Sequence, residues 1–526
     1  NSEYYYINNL EGKRYDVVNE KVPSINTATG TSNLKAYSKE WATMGYFARV
    51  NYDYDGKYLL EANIRRDATS RFRGDERWGT FPSVSVGWNI AREQFWEPIQ
   101  DYVNLFKVRF SYGSLGNQNA DNYYPTYSIQ NITVGSVDEG GRWLLEQANK
   151  SSIASSPGLV SSLLTWERVT SYNIGIDFGA FNNRLTGYAE YYIRDTKDMV
   201  GPAEEISPIV GASAPKLNNT ALRTKGWELQ VNWQDRIGQV GYRVSLNLSD
   251  AQTEVTEYPN LDKTFFTKDS DGNIVDNYWK GKKLGEIWGF KTVGMAKTDQ
   301  EIQDYIAIHD QSRLPNIGNN IWKAGDIMYA NLDGKEGVNN GSNTLEDHGD
   351  LTIIGNNTPR YNFGLTLTGA WKGFDFSVFL QGVMKRDYWL DGPYFWGANG
   401  GLWQSTAFKE HMDYWRPEGD PLGANTNAYY PKPYFNTDKN QKVQSGYLQN
   451  AAYCRLKNAQ IGYTLPKTWT RKAAMESVRV YVSGDNLVTF SGISGVFDPE
   501  LLGSDWGDGK LYPLQRTISI GLNVNF

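Results

Sequence analysis

The sequence predicts an all-β protein, a transmembrane antiparallel β-barrel with long loops at one rim and short turns at the other. Three observations lead to this prediction. Apolar and polar residues alternate in strand-length segments, short and long connections alternate between these segments, and aromatic residues flank the short connections. Such alternation is typical of strands in an outer-membrane barrel, whose apolar face meets lipid while its polar face lines a wet lumen.

The last ten residues, 517–526, show the alternation most clearly. Every second residue is apolar, and together these residues form one face: Ile518, Ile520, Leu522, Val524 and Phe526. A strand of this length crosses the roughly 25 Å apolar band of an outer membrane at a tilt. An unpaired apolar strand edge would aggregate in water, whereas in a closed barrel the edge pairs with another strand. We therefore predict that these residues form the terminal strand for barrel assembly.

Alternation of the same kind predicts roughly thirteen strands. They are expected at residues 45–54, 58–66, 83–90, 105–113, 168–178, 184–194, 227–233, 242–249, 360–371, 374–383, 454–465, 478–485 and 517–526. Their polar faces carry charged and amide side chains, which suit a water-filled lumen better than a packed core.

The connections between these strands predict the orientation of the barrel. Short turns are expected at residues 55–57, 182–183, 235–239 and 372–373, and the opposite strand ends are joined by long segments such as 251–359 and 384–453. Outer-membrane barrels have short periplasmic turns and long extracellular loops, so we expect a periplasmic carboxyl end. Aromatic pairs flank the short turns and predict an interfacial girdle: Tyr54 and Tyr58, Phe178 and Phe181, Trp233 and Tyr242, Trp371 and Phe374.

Composition excludes several other classes of protein. The mean hydropathy is −0.57 and no apolar run approaches the length of a transmembrane helix. Cys454 is the only cysteine, so an internal disulfide is excluded, and a net charge of −6 without a basic block argues against nucleic acid as a partner. The three histidines form no metalloprotease-type pair and no nucleotide-binding or nucleophile-elbow motif occurs, so no enzyme is predicted. A soluble β-rich glycan-binding protein or glycoside hydrolase remains the alternative, because paired carboxylates can meet in space.

The beginning of the sequence carries no signal peptide, although an outer-membrane protein must be exported. Thirteen is an odd number, whereas single-chain bacterial barrels normally have an even number of strands. We therefore expect residues 1–44 to form a loop segment that follows a missing amino-terminal part, and residues 45–526 to form the carboxy-terminal portion of the barrel.

Several ordered segments resemble a known family. They are RYNFGLTLTGAWKGFDFSVFLQG (360–382), YLQNAAYCRLKNAQIGYTLP (447–466), RVYVSGDNLVTFSG (479–492), FDPE (497–500) and YPLQRTISIGLNVNF (512–526), with further similarity at 46–72 and 78–96. In these segments the sequence is similar to the carboxy-terminal part of the barrel of SusC-like (RagA/SusC family) TonB-dependent outer-membrane transporters. The resemblance implies a 22-stranded barrel in the outer membrane of a Gram-negative bacterium, an amino-terminal plug and a TonB-box, neither of which has a counterpart in this sequence.

The resemblance also implies a function and partners. Transporters of this family take up cargo with energy supplied through the TonB complex, and a SusD-like surface lipoprotein serves as a lid. Import of oligosaccharides is the expected function, and import of peptides by the same mechanism is the alternative. The lipid bilayer is a further expected partner, and a dimer of transporter–lipoprotein pairs is possible within the family.

The long segment after residue 383 contains the candidate ligand contacts. Aromatic rings there are interleaved with hydrogen-bonding groups: Tyr388, Trp389, Asp391, Tyr394, Phe395, Trp396, Asn399 and Trp403. Sugar rings stack on aromatic faces while their hydroxyls pair with amides and carboxylates, so this composition suits a glycan. The alternative is that these rings pack the loop on itself or against the lipoprotein, since interfaces are also enriched in Trp and Tyr. Weaker candidates are Trp143, Trp279, Trp288 and Trp322.

A calcium site is the remaining possibility for a cofactor. The stretch GDIMYANLDGKEG (325–337) resembles a calcium loop in part, with Asn331 and Asp333 as candidate ligands before Gly334. Calcium loops place oxygen ligands at alternating positions, but Lys335 stands where a further acid would help. A solvated turn without metal is therefore the favoured interpretation, and no cofactor is predicted.

Overall fold

Fourteen strands form one antiparallel sheet in a computed structural model of the chain. The structure describes all residues except 22, 119–121, 131, 134–152, 155–156, 203–206, 212–213, 269–273, 316, 319, 398–406, 435–436 and 504–508. The strands pair in chain order: β1 (Ser2–Arg14), β2 (Ser32–Tyr54), β3 (Tyr58–Thr69), β4 (Trp78–Asn89), β5 (Val103–Asn117), β6 (Glu167–Ala180), β7 (Leu185–Gly201), β8 (Leu217–Ile237), β9 (Val240–Glu257), β10 (Arg360–Trp371), β11 (Phe374–Lys385), β12 (Tyr453–Thr464), β13 (Ser477–Ser491) and β14 (Thr517–Asn525).

The strand register keeps one apolar and one polar face across the sheet. Leu60 of β3 lies opposite Val86 of β4, which lies opposite Phe110 of β5. The neighbouring positions Glu61 and Ser85 form the other face. Since side chains alternate between faces along every strand, this register brings apolar residues together on the lipid side and polar residues together on the lumen side. The predicted alternation is confirmed.

Ion pairs cross the strands on the polar face. The Arg109 guanidinium of β5 contacts Asp177 of β6 at 3.2 Å and Glu190 of β7 at 2.6 Å. Further pairs of this kind join neighbouring or nearby strands: Arg49–Glu61, Arg223–Asp195, Arg360–Asp250 and Arg479–Asp375. Opposite charges on facing strands stabilise a sheet, and here they also make the lumen wall polar.

The short turns have the backbone that tight hairpins need. Lys372 and Gly373 both have positive φ, at 46° and 89°, as a type I′ turn requires. Aromatic rings meet beside these turns, as predicted: Tyr54 stacks on Tyr58 at 6.3 Å, and Trp233 donates a hydrogen bond of 3.1 Å to the Tyr242 hydroxyl. Amphipathic rings of this kind settle at a membrane interface.

The prediction for residues 1–44 is wrong in its secondary structure, and the strand count is fourteen among the described residues. β1 occupies Ser2–Arg14, and β2 begins at Ser32 rather than at residue 45. Three consecutive tyrosines in β1 hide the period of two, and the strand is specified by pairing with β2, from Ser2 opposite Met44 to Arg14 opposite Ser32. Because fourteen is even, the argument from an odd number of strands no longer applies.

The long connections contain short strands and helices. The short strands are Ile132–Thr133, Ile153–Ala154, Phe266–Lys268, Ile274–Asp276, Glu286–Phe290, Thr292–Met295, Ile327–Tyr329, Leu351–Asn356, Asp387–Tyr388 and Gln449–Asn450. The α-helices are α1 (Asp299–Ile308), α2 (Pro393–Trp396) and α3 (Lys467–Thr470), and 3₁₀ turns lie at Gly74–Arg77, Ile90–Arg92, Gln94–Ile99, Pro208–Val210, Glu410–Met412 and Arg471–Ala473. None of the helices in the described part of the chain has the length and apolar character needed to span a membrane.

The assignment of the two faces predicts the effect of adding a charge to β14. Ile520 is 80% exposed on the apolar face near the middle of β14, and its neighbour Ser519 lies on the polar face opposite Ser483. We expect Ile520→Lys to lower the free energy of unfolding of the full-length protein in lipid vesicles by about 2–4 kcal/mol, because a lysine would face hydrocarbon. Ser519→Lys is the matched control and should have little effect. Equal losses in urea titrations of the two variants would contradict the assignment.

Candidate functional site

Three long loops fold together into one hydrophobic core. The loops are residues 258–359 between β9 and β10, 386–452 between β11 and β12, and 492–516 between β13 and β14. Buried residues from all three contribute, among them Phe290, Ile302, Tyr329, Leu390, Phe395, Trp396, Tyr430, Tyr447, Phe497 and Leu502. We call this unit the loop core. It lies at the rim of the sheet opposite the short turns.

A buried ion pair joins the first two loops of the loop core. Lys439 Nζ contacts Asp326 Oδ2 at 2.7 Å, and the two side chains are 1% and 0% exposed. Lys439 Nζ also donates to the Ile321 carbonyl at 2.7 Å, and Asn440 donates to the second Asp326 oxygen at 3.0 Å. Burial lowers the pKa of Lys439, and the charge of Asp326 opposes this shift. Every polar atom of the pair is thus offered a partner, as a buried pair requires.

The predicted ligand contacts Phe395 and Trp396 lie inside the loop core. They are 1% and 6% exposed, and Trp396 Nε1 donates to the Leu390 carbonyl at 3.0 Å. The Trp396 ring contacts Tyr447 at 4.9 Å between centroids, and the Phe395 ring meets Tyr430 edge-on at 5.7 Å. Their burial favours the alternative that these two rings pack the loop on itself.

The other described candidates lie closer to the surface of the same loop. Tyr388, Trp389 and Tyr394 are half-buried, and Asp391 is exposed. Trp389 rests on Trp396 at 5.9 Å, so a buried ring supports a partly accessible one. Asn399 and Trp403 lie outside the described residues. Ligand binding by any of these residues stays a prediction.

His411 holds the short helix α2 in place. Its Nδ1 accepts a 3.0 Å hydrogen bond from the Phe408 amide, and its Nε2 lies 3.1 Å from the carbonyl oxygens of both Tyr394 and Phe395. Because a carbonyl can only accept, these contacts assign a neutral ring with the proton on Nε2. His411 is therefore a structural residue of the candidate loop, which its sequence context did not reveal.

The third loop is fixed to the barrel wall by another buried pair. Arg455 of β12 contacts Asp498 at 2.7 Å, with exposures of 4% and 5%. Asp498 also accepts from the amides of Glu500 at 3.0 Å and Leu514 at 3.1 Å. Burial alone would raise the pKa of Asp498, but the hydrogen bonds from Arg455 and the two amides lower it overall. The FDPE segment thus anchors the loop core to the barrel wall.

The candidate calcium ligands form a closed turn. Asn331 donates to the Lys335 carbonyl at 2.7 Å and accepts from the Gly334 amide at 3.0 Å, and Asp333 accepts from the Lys335 amide at 2.8 Å. Asp350 accepts from three backbone amides, including that of Leu332. Within the described ranges no group of three or more acidic, histidine or cysteine residues is arranged to hold a metal ion. Asn331 Oδ1 and Asp333 Oδ1 are thus used by the turn itself. The absence of a calcium ion at this turn stays a prediction.

The weaker tryptophan candidates are also mostly structural. Trp279 and Trp322 are 3% and 2% exposed, and Trp288 is half-buried against the loop core. Trp143 lies outside the described residues. At the other end of the chain, Ile518, Ile520 and Leu522 are exposed on β14, Val524 is half-buried, and Phe526 follows β14 at 91% exposure.

A second aromatic surface escaped the sequence analysis because residues 1–44 were expected to form a loop. Tyr5 of β1 stacks on Trp41 of β2 at 5.8 Å, and Tyr123 from the connection between β5 and β6 meets Tyr5 edge-on at 6.3 Å. Arg71 lies 5.3 Å from the ring centroids of both Trp41 and Tyr123. The tyrosine run in β1 was the available signal, but only strand pairing shows which rings share a face.

The sequence matches the family described as "TonB dependent receptor-like, beta-barrel" over residues 1–487. The chain belongs to this family. TonB-dependent receptor barrels span the bacterial outer membrane, and the loop core lies at one rim of such a barrel.

Comparison with individual receptors gives the same result. A TonB-dependent receptor of Formosa agariphila is 26% identical over 98% of this chain and 49% of its own length, and the TonB-dependent receptor SusC of Bacteroides thetaiotaomicron is 27% identical over 93% and 44%. The solved structure of the RagAB peptide transporter superposes with a TM-score of 0.74 at 22% identity, covering all of this chain and 52% of that chain. The chain thus spans about half the length of the relatives it matches and has a SusC/RagA-like barrel.

The buried pair predicts that the loop core depends on Asp326. We expect Asp326→Ala to destabilise the loop core by about 3–5 kcal/mol, because it leaves the Lys439 charge buried without its partner. The measurement is hydrogen exchange of residues 321–329 in the full-length receptor. Glu336→Ala is the control, since Glu336 is 86% exposed in its pair with Arg313 and should cost less than about 1 kcal/mol. Unchanged exchange in Asp326→Ala would contradict the role of the pair.

The contacts of Asp498 predict that acid lowers the local stability of the loop at residues 492–516. A carboxylate with a lowered pKa in the folded state contributes stability that is present above its ordinary pKa and is lost as the pH falls through the lowered value. We therefore expect exchange of the Leu514 amide, corrected for its intrinsic rate, to be slow at neutral pH and to accelerate only below about pH 4. Asp498→Asn should remove this pH dependence. Loosening near neutral pH would contradict the assignment.

Proposed function

We propose that the protein imports oligosaccharides across the outer membrane by TonB-dependent transport, together with a SusD-like surface lipoprotein. Membership of the receptor family supports the transport mechanism. One observation supports the cargo: Tyr388, Trp389 and Tyr394 stay partly accessible although the neighbouring rings Phe395 and Trp396 are buried, and Asp391 is exposed among them. Rings offer faces for sugar stacking, and the carboxylate accepts hydrogen bonds from hydroxyls.

The buried part of the loop core prepares this surface for binding. Trp389 rests on Trp396, and Tyr394 stacks on Phe408 at 5.7 Å with an angle of 16° between the planes. Rings that are fixed before binding lose little conformational entropy when a ligand stacks on them, so more of the contact energy appears as affinity. The outward loops would thus bind cargo before any energy is spent on transport.

The polar lumen face supports passage of a hydrophilic cargo. Ion pairs such as Arg109–Glu190 place opposite charges side by side on the lumen wall. The wall is therefore hydrated but does not strongly attract ligands of either charge. A barrel of this width needs a plug, and in our proposal the plug and the TonB contact belong to an amino-terminal part of the protein, with the carboxyl end in the periplasm. A dimer of transporter–lipoprotein pairs stays a prediction.

Peptides are the alternative cargo. The RagAB structures with the same fold are described as a peptide transporter and importer, but identities of 20–22% support the fold only. Half-buried tyrosines and a tryptophan would also line a peptide site, so the choice rests on a direct binding measurement.

The test is calorimetric titration of the full-length receptor with its lipoprotein, in detergent, against a panel of oligosaccharides and pools of peptides. We expect heat with one glycan class, and we expect Trp389→Ala to weaken that binding about tenfold, as loss of a central aromatic contact does. Tyr512→Ala is the control, because Tyr512 is 91% exposed on a different loop. Heat with peptides alone would overturn the glycan proposal.

A further inference from the structure

The hairpin formed by β1 and the first part of β2 extends beyond the end of β3. β2 pairs with β1 from Ser32 to Met44 and with β3 from Thr43 to Tyr54, so the two partners occupy different halves of β2. About eleven residues of β2 therefore extend past the end of β3, which corresponds to about 35 Å of strand. We call this element the rim hairpin. It stands at the same rim as the loop core.

Strand alternation gives the rim hairpin an inward and an outward face. Arg49 of β2 lies on the polar lumen face, opposite Asn63 of β3. Trp41 precedes Arg49 by eight residues, and no bulge interrupts β2 between Trp41 and Arg49. Trp41, Lys39 and Tyr37 therefore share the lumen-facing side, together with Tyr5, which lies opposite Trp41. The tyrosines on either side of Tyr5 point the other way.

The inward rings are held in position and remain accessible. Tyr5 and Trp41 are nearly parallel, with 22° between their planes, and Arg71, itself 8% exposed, lies against Trp41 and Tyr123. The Tyr124 hydroxyl accepts a 2.9 Å hydrogen bond from the Glu40 amide, which fastens the neighbouring connection to the edge of β2. Tyr5 and Tyr37 are 40% and 46% exposed. Prealigned rings of this kind form a stacking surface.

Lys39 adds a positive charge to the stacking surface. Its Nζ lies 5.3 Å from the Tyr37 ring centroid and 5.7 Å from that of Tyr123, and it forms no salt bridge with a carboxylate of the described residues. By contrast, Lys13 on the same hairpin contacts Glu11 at 2.8 Å. An ammonium group placed between rings without a carboxylate partner is suited to an anionic group on a ligand that stacks on those rings.

A recess of about 630 Å³, lined by both polar and apolar side chains, continues the inward face toward the lumen. Glu3 and Thr43 of the rim hairpin line it, together with Asn63, Arg65 and Asp67 of β3. Arg65 and Asp67 contact each other at 2.6 Å, so their charges are paired within the recess. Hydrogen-bond donors and acceptors therefore follow directly after the aromatic rings, on the path from the rim into the barrel.

We propose that the inward face of the rim hairpin is a binding subsite for an oligosaccharide that carries an acidic group, either a carboxylate or a sulfate. A sugar ring stacks on Tyr37 and Trp41, Lys39 pairs with the acidic group, and the recess accepts the hydroxyls of the following sugar. This inference rests on the proposed function and specifies its substrate class. The subsite is formed by β1 and β2, whereas the loop at residues 386–396 follows β11.

The test uses calorimetry of the full-length receptor with its lipoprotein. The probes are uronic-acid oligosaccharides with their carboxyl-reduced counterparts, sulfated oligosaccharides with their desulfated counterparts, and acidic peptides. We expect one acidic glycan to bind more tightly than its neutral counterpart, and Lys39→Gln to remove roughly a tenfold preference for the acidic form. The uronate and sulfate arms identify which acidic group is recognised.

Tyr37→Ala and Tyr6→Ala form a matched pair of variants. Both residues are on the rim hairpin with similar exposure, 46% and 53%, but they lie on opposite faces. We expect Tyr37→Ala to weaken binding of acidic and neutral glycans alike by about tenfold, and Tyr6→Ala to leave both unchanged. Tyr37 makes no ring stack among the described residues, so its removal should leave the hairpin folded, which circular dichroism and hydrogen exchange of β1 would check.

Three outcomes would overturn the inference. Equal affinity for the acidic and neutral forms would exclude the role of Lys39, and glycan binding that is unaffected by Tyr37→Ala would exclude the subsite, while the proposed oligosaccharide import would stand in both cases. A loss of affinity for the lipoprotein alone would make the surface a protein interface. Heat only with acidic peptides would refute the proposed function as well, so the two failures are distinguishable.

Discussion

The need to pair every backbone amide and carbonyl inside a lipid bilayer governs the whole structure. No water is available in the hydrocarbon to satisfy an open strand, so strands must be joined edge to edge, and side chains must alternate between lipid and lumen. The register of β3, β4 and β5 meets both demands together, with Leu60, Val86 and Phe110 in one row and Glu61 and Ser85 in the next. Among the described residues, β14 pairs with β13 alone, and the half of β2 nearer the short turn at residues 55–57 pairs with β3 alone. In a bilayer these two edges would have to be paired.

This constraint explains why the barrel could be predicted from the sequence. A period of two is a local signal, and each of the thirteen predicted segments falls on a strand of the sheet, four of them overrunning it by one residue. Most strands extend further than predicted, as β8 does at Leu217–Ile237. Where a strand extends beyond the apolar band of a bilayer, alternation is no longer required, so its sequence carries no such signal. β1 was missed for the same reason. Its sequence SEYYYINNLEGKR places rings on both faces, and most residues of β1 are exposed on both faces. The strand is therefore specified by its pairing with β2, whose residues lie 18 to 42 positions further along the chain.

The candidate site could be predicted less well because composition does not distinguish buried rings from accessible ones. Phe395 and Trp396 are adjacent to Tyr394 in sequence, yet they are buried in the loop core while Tyr394 is half-buried. What separates them is contact with residues far along the chain, such as Tyr430 and Tyr447. The ion pair of Asp326 and Lys439 joins residues 113 positions apart and leaves no local pattern. Hydrophobic and charged residues in long loops therefore indicate that a folded unit exists, and only the structure shows which of its residues remain available.

The two aromatic surfaces at the rim have different mechanical supports, and this difference bears on how cargo would be captured. The rings at residues 388–394 stand on the loop core, which is fixed by buried ion pairs and fastened to the wall through Asp498. The rings of the rim hairpin stand on a two-stranded ribbon, held by the Tyr124 hydrogen bond and by Arg71. A ribbon with few buried contacts opens at lower free energy than a packed core. If the cargo is an oligosaccharide, as we propose, the rim hairpin would adjust to the first sugar of the ligand, while the loop core would offer a rigid surface to the rest. Binding in this order would hold cargo over the recess at the base of the hairpin, close to the polar wall, before any coupling to TonB.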